Sequence, residues 1–192
     1  MNVAKPLKPS EYEAYRKELY SFQGGAEGNM AQSVSLDTDP SVNPKGINEK
    51  LSLVQAMKDR VMMILNRAIL AEAYWKTVSK RLDATFDSEY QRAMILHGKS
   101  AGNAEMRKAT ATGEAQKGVV SKLFGDEGDY DQQHSMVQRN HADATAFLKE
   151  VQNIYDNLDS TDQNLSRQLK SVQVNAKVYG EDSGMSLTGR ER

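Results

Sequence analysis

The chain has no cysteine, which excludes disulfide staples, thiol nucleophiles and cysteine-ligated metals. Its four prolines, Pro6, Pro9, Pro40 and Pro44, all fall in the first quarter, and 148 residues follow without another. Proline breaks helix interiors and punctuates strands and loops, so its absence points to an all-helical body. Glycine is missing from residues 47–97 and 129–179. Each of those stretches is long enough for a helix of ~75 Å. Charge of one sign is missing too: the net charge is -1 over 192 residues, which suits neither a broadly basic nucleic-acid binder nor an acidic mimic. No apolar run approaches the ~18 residues of a membrane span, and the first residues lack the apolar core of a secretory signal.

What is present is patterned. A hydrophobic content of 39% with a mean hydropathy of -0.67 is low for a compact globule and normal for long helices that each bury one stripe. Val54, Val61, Ala68, Trp75 and Leu82 recur every seven residues, with Met57, Ile64, Ala71 and Val78 three places after the first four. That is the a/d seam of a coiled coil. Val137, Ala144, Val151, Leu158, Leu165, Val172 and Tyr179 form a second series, whose companions Phe147 and Ile154 give way to Thr161, Gln168 and Asn175. The expected fold is all-α: an elongated antiparallel hairpin of two long helices over residues 47–179. Two helices bury little surface, so the core is completed by oligomerisation, with Val54, Val61, Trp75, Leu82, Val151, Leu158, Leu165 and Val172 in the interface.

The remainder parses around this body. Ser10 and Glu13 make a capping box for a short N-terminal helix ending at Gly24–Gly25, within residues 1–25. Its stripe of Tyr12, Tyr15, Leu19 and Phe22 is a docking face for the chain's own assembly or a partner. Residues 26–46 read as a flexible linker and 180–192 as a mobile tail. Residues 98–128 hold six glycines, which predicts short helical turns such as Asn103–Thr112 separated by breaks.

Several motifs fail on their chemistry. Gly98-Lys99-Ser100 resembles the end of a phosphate-binding loop, but Ala93 stands where its first glycine belongs, and a helix precedes it. The acids Asp126, Glu127, Asp129 and Asp131 suggest calcium, yet the twelfth position counted from Asp126 or Asp129 is Val137 or Asn140, and neither supplies a bidentate carboxylate. A helix N-terminus enriched in acids explains them better. His134 and His141 lie about 10 Å apart along a helix, too far to share a metal. No nucleophile sits at a recognisable spacing from a base, so the chain reads as a non-enzyme with no cofactor.

Binding chemistry is concentrated in the first long helix. Residues 51–110 hold ten Lys and Arg against six Asp and Glu, and residues 111–192 hold nine against thirteen. Arg60, Arg67, Tyr74 and Arg81 fall at intervals of seven, with Lys76 and Lys80 nearby. Cations for phosphates and a ring for a base are what a single strand of nucleic acid requires. Arginines flanking a coiled-coil seam and pairing with acids are the plainer reading of the same stripe.

The layout resembles the phage recombination mediators of the UvsY kind. The similarity covers residues 50–180: a long amphipathic helix from Leu51 to His97, the patch Gly98-Lys99-Ser100 and Ala104-Glu105-Met106-Arg107-Lys108-Ala109, then a second helix ending in Ser166-Arg167-Gln168-Leu169-Lys170-Ser171-Val172-Gln173. The resemblance implies a helical protein of the host-cell cytoplasm that forms rings, binds single-stranded DNA and serves a recombinase. A cysteine-free helical hairpin of this length also resembles structural subunits of virions or of secretion filaments, whose partners are other proteins of those assemblies.

Overall fold

A computed structural model of the chain describes residues 7–25, 44–97 and 103–182. These residues form four α-helices and no strand: α1 (Pro9–Gly25), α2 (Pro44–His97), α3 (Ala104–Phe124) and α4 (Tyr130–Asp182). The all-α class read from the sequence therefore holds. Residues 26–43 of the expected linker and 183–192 of the expected tail lie outside the described residues.

The helix ends differ from the sequence reading in ways that have local causes. α1 begins at Pro9, so Ser10 lies inside the first turn and does not cap it. Proline is well suited to that first position because its missing N–H is an orphan there anyway. α3 runs unbroken through Gly113 and Gly118, where short turns were expected. Its Ala111, Ala115 and Val119 recur every four residues and are buried. Burial of that stripe outweighs the cost of about 1 kcal/mol that each helical glycine carries. The Asn103 side chain accepts a hydrogen bond from Met106 N at 2.8 Å and caps the start of α3. Gly125 ends it at φ 62, and Asp126 continues left-handed at φ 66. Asp is one of the few residues that tolerates this conformation. The Asp129 carboxylate then accepts from Gln132 N at 2.8 Å, capping α4.

The chain divides into two compact units, Met1–Ser10 with Arg67–Lys149 and Glu11–Asn66 with Glu150–Arg192. In the first, Leu82 of α2, Val119 of α3 and Val137 of α4 meet at 0% exposure. Trp75, Val78, Phe86, Leu123, Phe124 and Tyr130 pack around them. Fully burying side chains of this size stabilises by about 1.5–3 kcal/mol each. The Phe86 and Tyr130 rings lie 5.4 Å apart, Gln138 donates to Ser79 Oγ at 3.1 Å, and His141 reaches Glu72 at 3.7 Å. Numbers rise on α2 as they fall on α4, so within this unit the two segments run antiparallel.

The second unit has its own core and its own ion pairs. Val54 and Leu165 are buried together with Ile47 and Leu51 against them. Lys58 Nζ donates to Asp159 at 2.6 Å and Asp162 at 2.9 Å, and sits 5.9 Å from the Tyr155 ring. α1 joins this unit from Glu11 onward and buries Tyr12 and Leu19, leaving Tyr15 half-buried. The side chain of Phe22 lies outside the described residues.

Candidate nucleic-acid interface

The basic stripe is divided between the units. Arg67, Tyr74, Lys76, Lys80 and Arg81 belong to the first and Arg60 to the second. In the first unit, Leu82 and Trp75 take the inward positions of α2 because they are apolar and spaced by seven. Their burial turns the neighbouring positions outward. Tyr74 is 52% exposed, and its ring stands edge-on to Trp75 at 5.3 Å and 79°. Lys76, Lys80 and Arg81 are exposed and Arg67 is half-buried. Seven residues are nearly two turns, so Arg81 lies on the face of Tyr74 about 10 Å further along.

Their electrostatics differ. Lys76 Nζ lies 3.6 Å from Glu72 one turn earlier. Among the described residues, no carboxylate lies within ion-pair distance of Lys80 or Arg81. The hydroxyl of Thr77 donates to Ala73 O at 2.8 Å and that of Thr85 to Arg81 O at 2.7 Å, so both are spent inside the helix. Just before Tyr74, the same helix exposes Ile69 (46%) and Leu70 (40%).

Arg60 is in a different condition. Glu18 of α1 accepts from its Nε at 2.6 Å and from its second guanidinium nitrogen at 3.0 Å. This fork is the geometry in which arginine binds carboxylates and phosphates alike. The hydrogen bonds from Arg60 to Glu18 hold the guanidinium pKa above its ordinary value. Nothing in the sequence signals this pair, because the partners are 42 residues apart on different helices.

Of the eight residues expected to join subunits, seven are buried within the chain. Val54, Val61, Leu82, Val151, Leu158, Leu165 and Val172 are buried, and Trp75 packs against the Leu82 cluster. The seven aliphatic side chains are therefore covered within their own chain, while Trp75 stays half-buried. The polar companions Thr161 and Gln168 are half-buried.

Besides Tyr12, whose hydroxyl is buried, the buried polar side chains among the described residues are Ser79 and Glu89. Ser79 faces the Gln138 amide, which is no base, and Glu89 pairs with Lys122 of α3 and, at 3.6 Å, with Arg92. No group of three or more His, Asp or Glu side chains is placed to hold a metal ion among the described residues. None of the described helices is long and apolar enough to cross a membrane. No protein-family model, curated protein or solved structure matches the chain.

Proposed function

We propose that the chain is a non-enzymatic, self-associating helical protein that binds single-stranded DNA in the manner of a phage recombination mediator, in the host cytoplasm and alongside a recombinase. One observation carries this reading: Lys80 and Arg81 stand exposed without carboxylate partners among the described residues, on a helix that exposes the Tyr74 ring two turns earlier. Phosphates satisfy unpaired cations and a base stacks on an open ring, the two contacts that single-strand binders combine. The elongated hairpin of α2 and α4 and its closure into an oligomer belong to the same proposal. Ile69 and Leu70 supply further apolar contact for self-association, since much of the heptad seam is buried within one chain.

Those two residues also favour a second reading, a structural subunit of a virion or of a secretion filament. An exposed apolar pair serves an assembly surface whether or not DNA is bound. Fluorescence anisotropy of a labelled oligo-dT, with light scattering on the same samples, separates the two. The mediator reading expects binding that Lys80→Gln/Arg81→Gln weakens without changing the oligomeric state. The structural reading expects no binding, and loss of assembly in Leu70→Asp.

A further inference from the structure

The Glu18–Arg60 fork has a role beyond holding α1 in place. α1 is already anchored in its unit by the buried Tyr12 and Leu19 and by Glu150, which accepts from Arg16 Nε at 2.9 Å and from the Tyr20 hydroxyl. Glu18 adds a contact at the rim: the side chains of Arg60 and Glu18 remain 44% and 31% exposed. An ion pair this open is weak and screened by salt. Its geometry is nevertheless that of a phosphate clamp, two parallel N–H donors closing on two oxygens. The carboxylate thus occupies the position a phosphate would take, on a cation that solvent and ligand both reach.

We propose that Glu18 is a built-in phosphate mimic that keeps Arg60 closed, and that a backbone phosphate of single-stranded nucleic acid exchanges with it. This rests on the nucleic-acid reading above and adds its regulation: α1 supplies an acidic cap that lowers resting affinity, and releasing Glu18 opens a further cationic contact. No covalent step is involved. The exchange costs little because one oxyanion replaces another on the same fork, while Tyr12, Leu19 and Glu150 keep α1 docked.

The test uses the full chain and oligo-dT anisotropy across a salt series. Glu18→Gln keeps the side chain's size and removes its charge. It is expected to tighten binding and to steepen the salt dependence by about 0.7 in log K against log salt, the increment of one phosphate contact on a single strand. The gain then shrinks by about 2.6-fold between 50 and 200 mM salt. Arg60→Gln in the Glu18→Gln background is expected to abolish both the gain and the added slope. Helicity and melting temperature of each variant show that α1 stays folded. If oligo-dT binds with an affinity that depends on Lys80 and Arg81 but Glu18→Gln changes neither affinity nor slope, the cap is refuted and the nucleic-acid reading stands. If the gain survives Arg60→Gln, the cap is refuted as well. Absence of binding by every variant at low salt refutes both.

Discussion

Gly113 and Gly118 lie in the same helix, and alanine at the two positions is expected to act differently. A Cβ at Gly113 meets nothing within 4 Å, whereas at Gly118 it comes within 2.7 Å of Glu89 Oε2, 3.0 Å of Cγ and 3.1 Å of Cδ. Both substitutions gain the same helix propensity, about 1 kcal/mol. Both also reduce the freedom of the unfolded chain by similar amounts. Those contributions cancel in the difference, which leaves the steric displacement of Glu89. The carboxylate oxygen alone would swing aside at little cost. Cγ stands close to the backbone of its own helix, so the whole side chain must turn and let go of Lys122. Overpacking of this kind costs about 1–3 kcal/mol. Gly113→Ala is therefore expected to stabilise, and Gly118→Ala to fall below it by that margin. In a chain of this size the margin is a gap of about 3–10 °C in melting temperature. Thermal unfolding followed by circular dichroism reads the gap directly, and Glu89→Ala combined with Gly118→Ala should recover most of it. Equal gains at both positions would mean that α3 does not approach α2 at Glu89, and the packing described for this unit would be wrong.

Other outcomes follow from the two cores and their ion pairs. Leu82→Ala empties a site closed by three helices, so it should cost about 3–4 kcal/mol in urea unfolding; Trp75, the sole tryptophan, packs on the same cluster and reports it. A loss under about 1 kcal/mol would place Leu82 outside a packed core. The hydrogen bond from Lys58 holds the Asp159 pKa below its ordinary value. A depressed carboxylate stabilises above its unfolded value of about 3.9 and loses that contribution as pH falls through the folded one. Melting temperatures taken from neutral to acid pH should thus fall less steeply in Lys58→Gln than in the parent chain. Parallel curves would show that the pair contributes nothing.

Periodicity made the inward residues legible, because it is a local property of the chain. Val137, Ala144, Val151, Leu158, Leu165 and Val172 form one series, and all are buried. It did not reveal what covers them. A seam at intervals of seven looks the same whether a second copy or the same chain covers it, and here the chain itself buries Val54, Val61 and Leu82. α3 was hidden by Gly113 and Gly118, which resemble breakers, although Ala111, Ala115 and Val119 already carried the helical spacing. The stripe on α2 was visible as residue types, but its electrostatics were not. Lys58 meets Asp159 across 101 residues and Arg60 meets Glu18 across 42, and no local pattern encodes either pairing. Which cations remain open is a property of the fold, and it shifts the candidate interface towards Tyr74, Lys80 and Arg81.

The measurement that bears most directly on the proposed function is the salt dependence of oligo-dT binding by the intact chain and by Lys80→Gln/Arg81→Gln. Binding that weakens with salt, and a slope in log K against log salt that falls by about 1.4 in the double variant, is the expected result, two phosphate contacts having been removed. An unchanged slope, or no binding at low salt, would contradict it and leave the outward face of α2 as a surface for protein assembly.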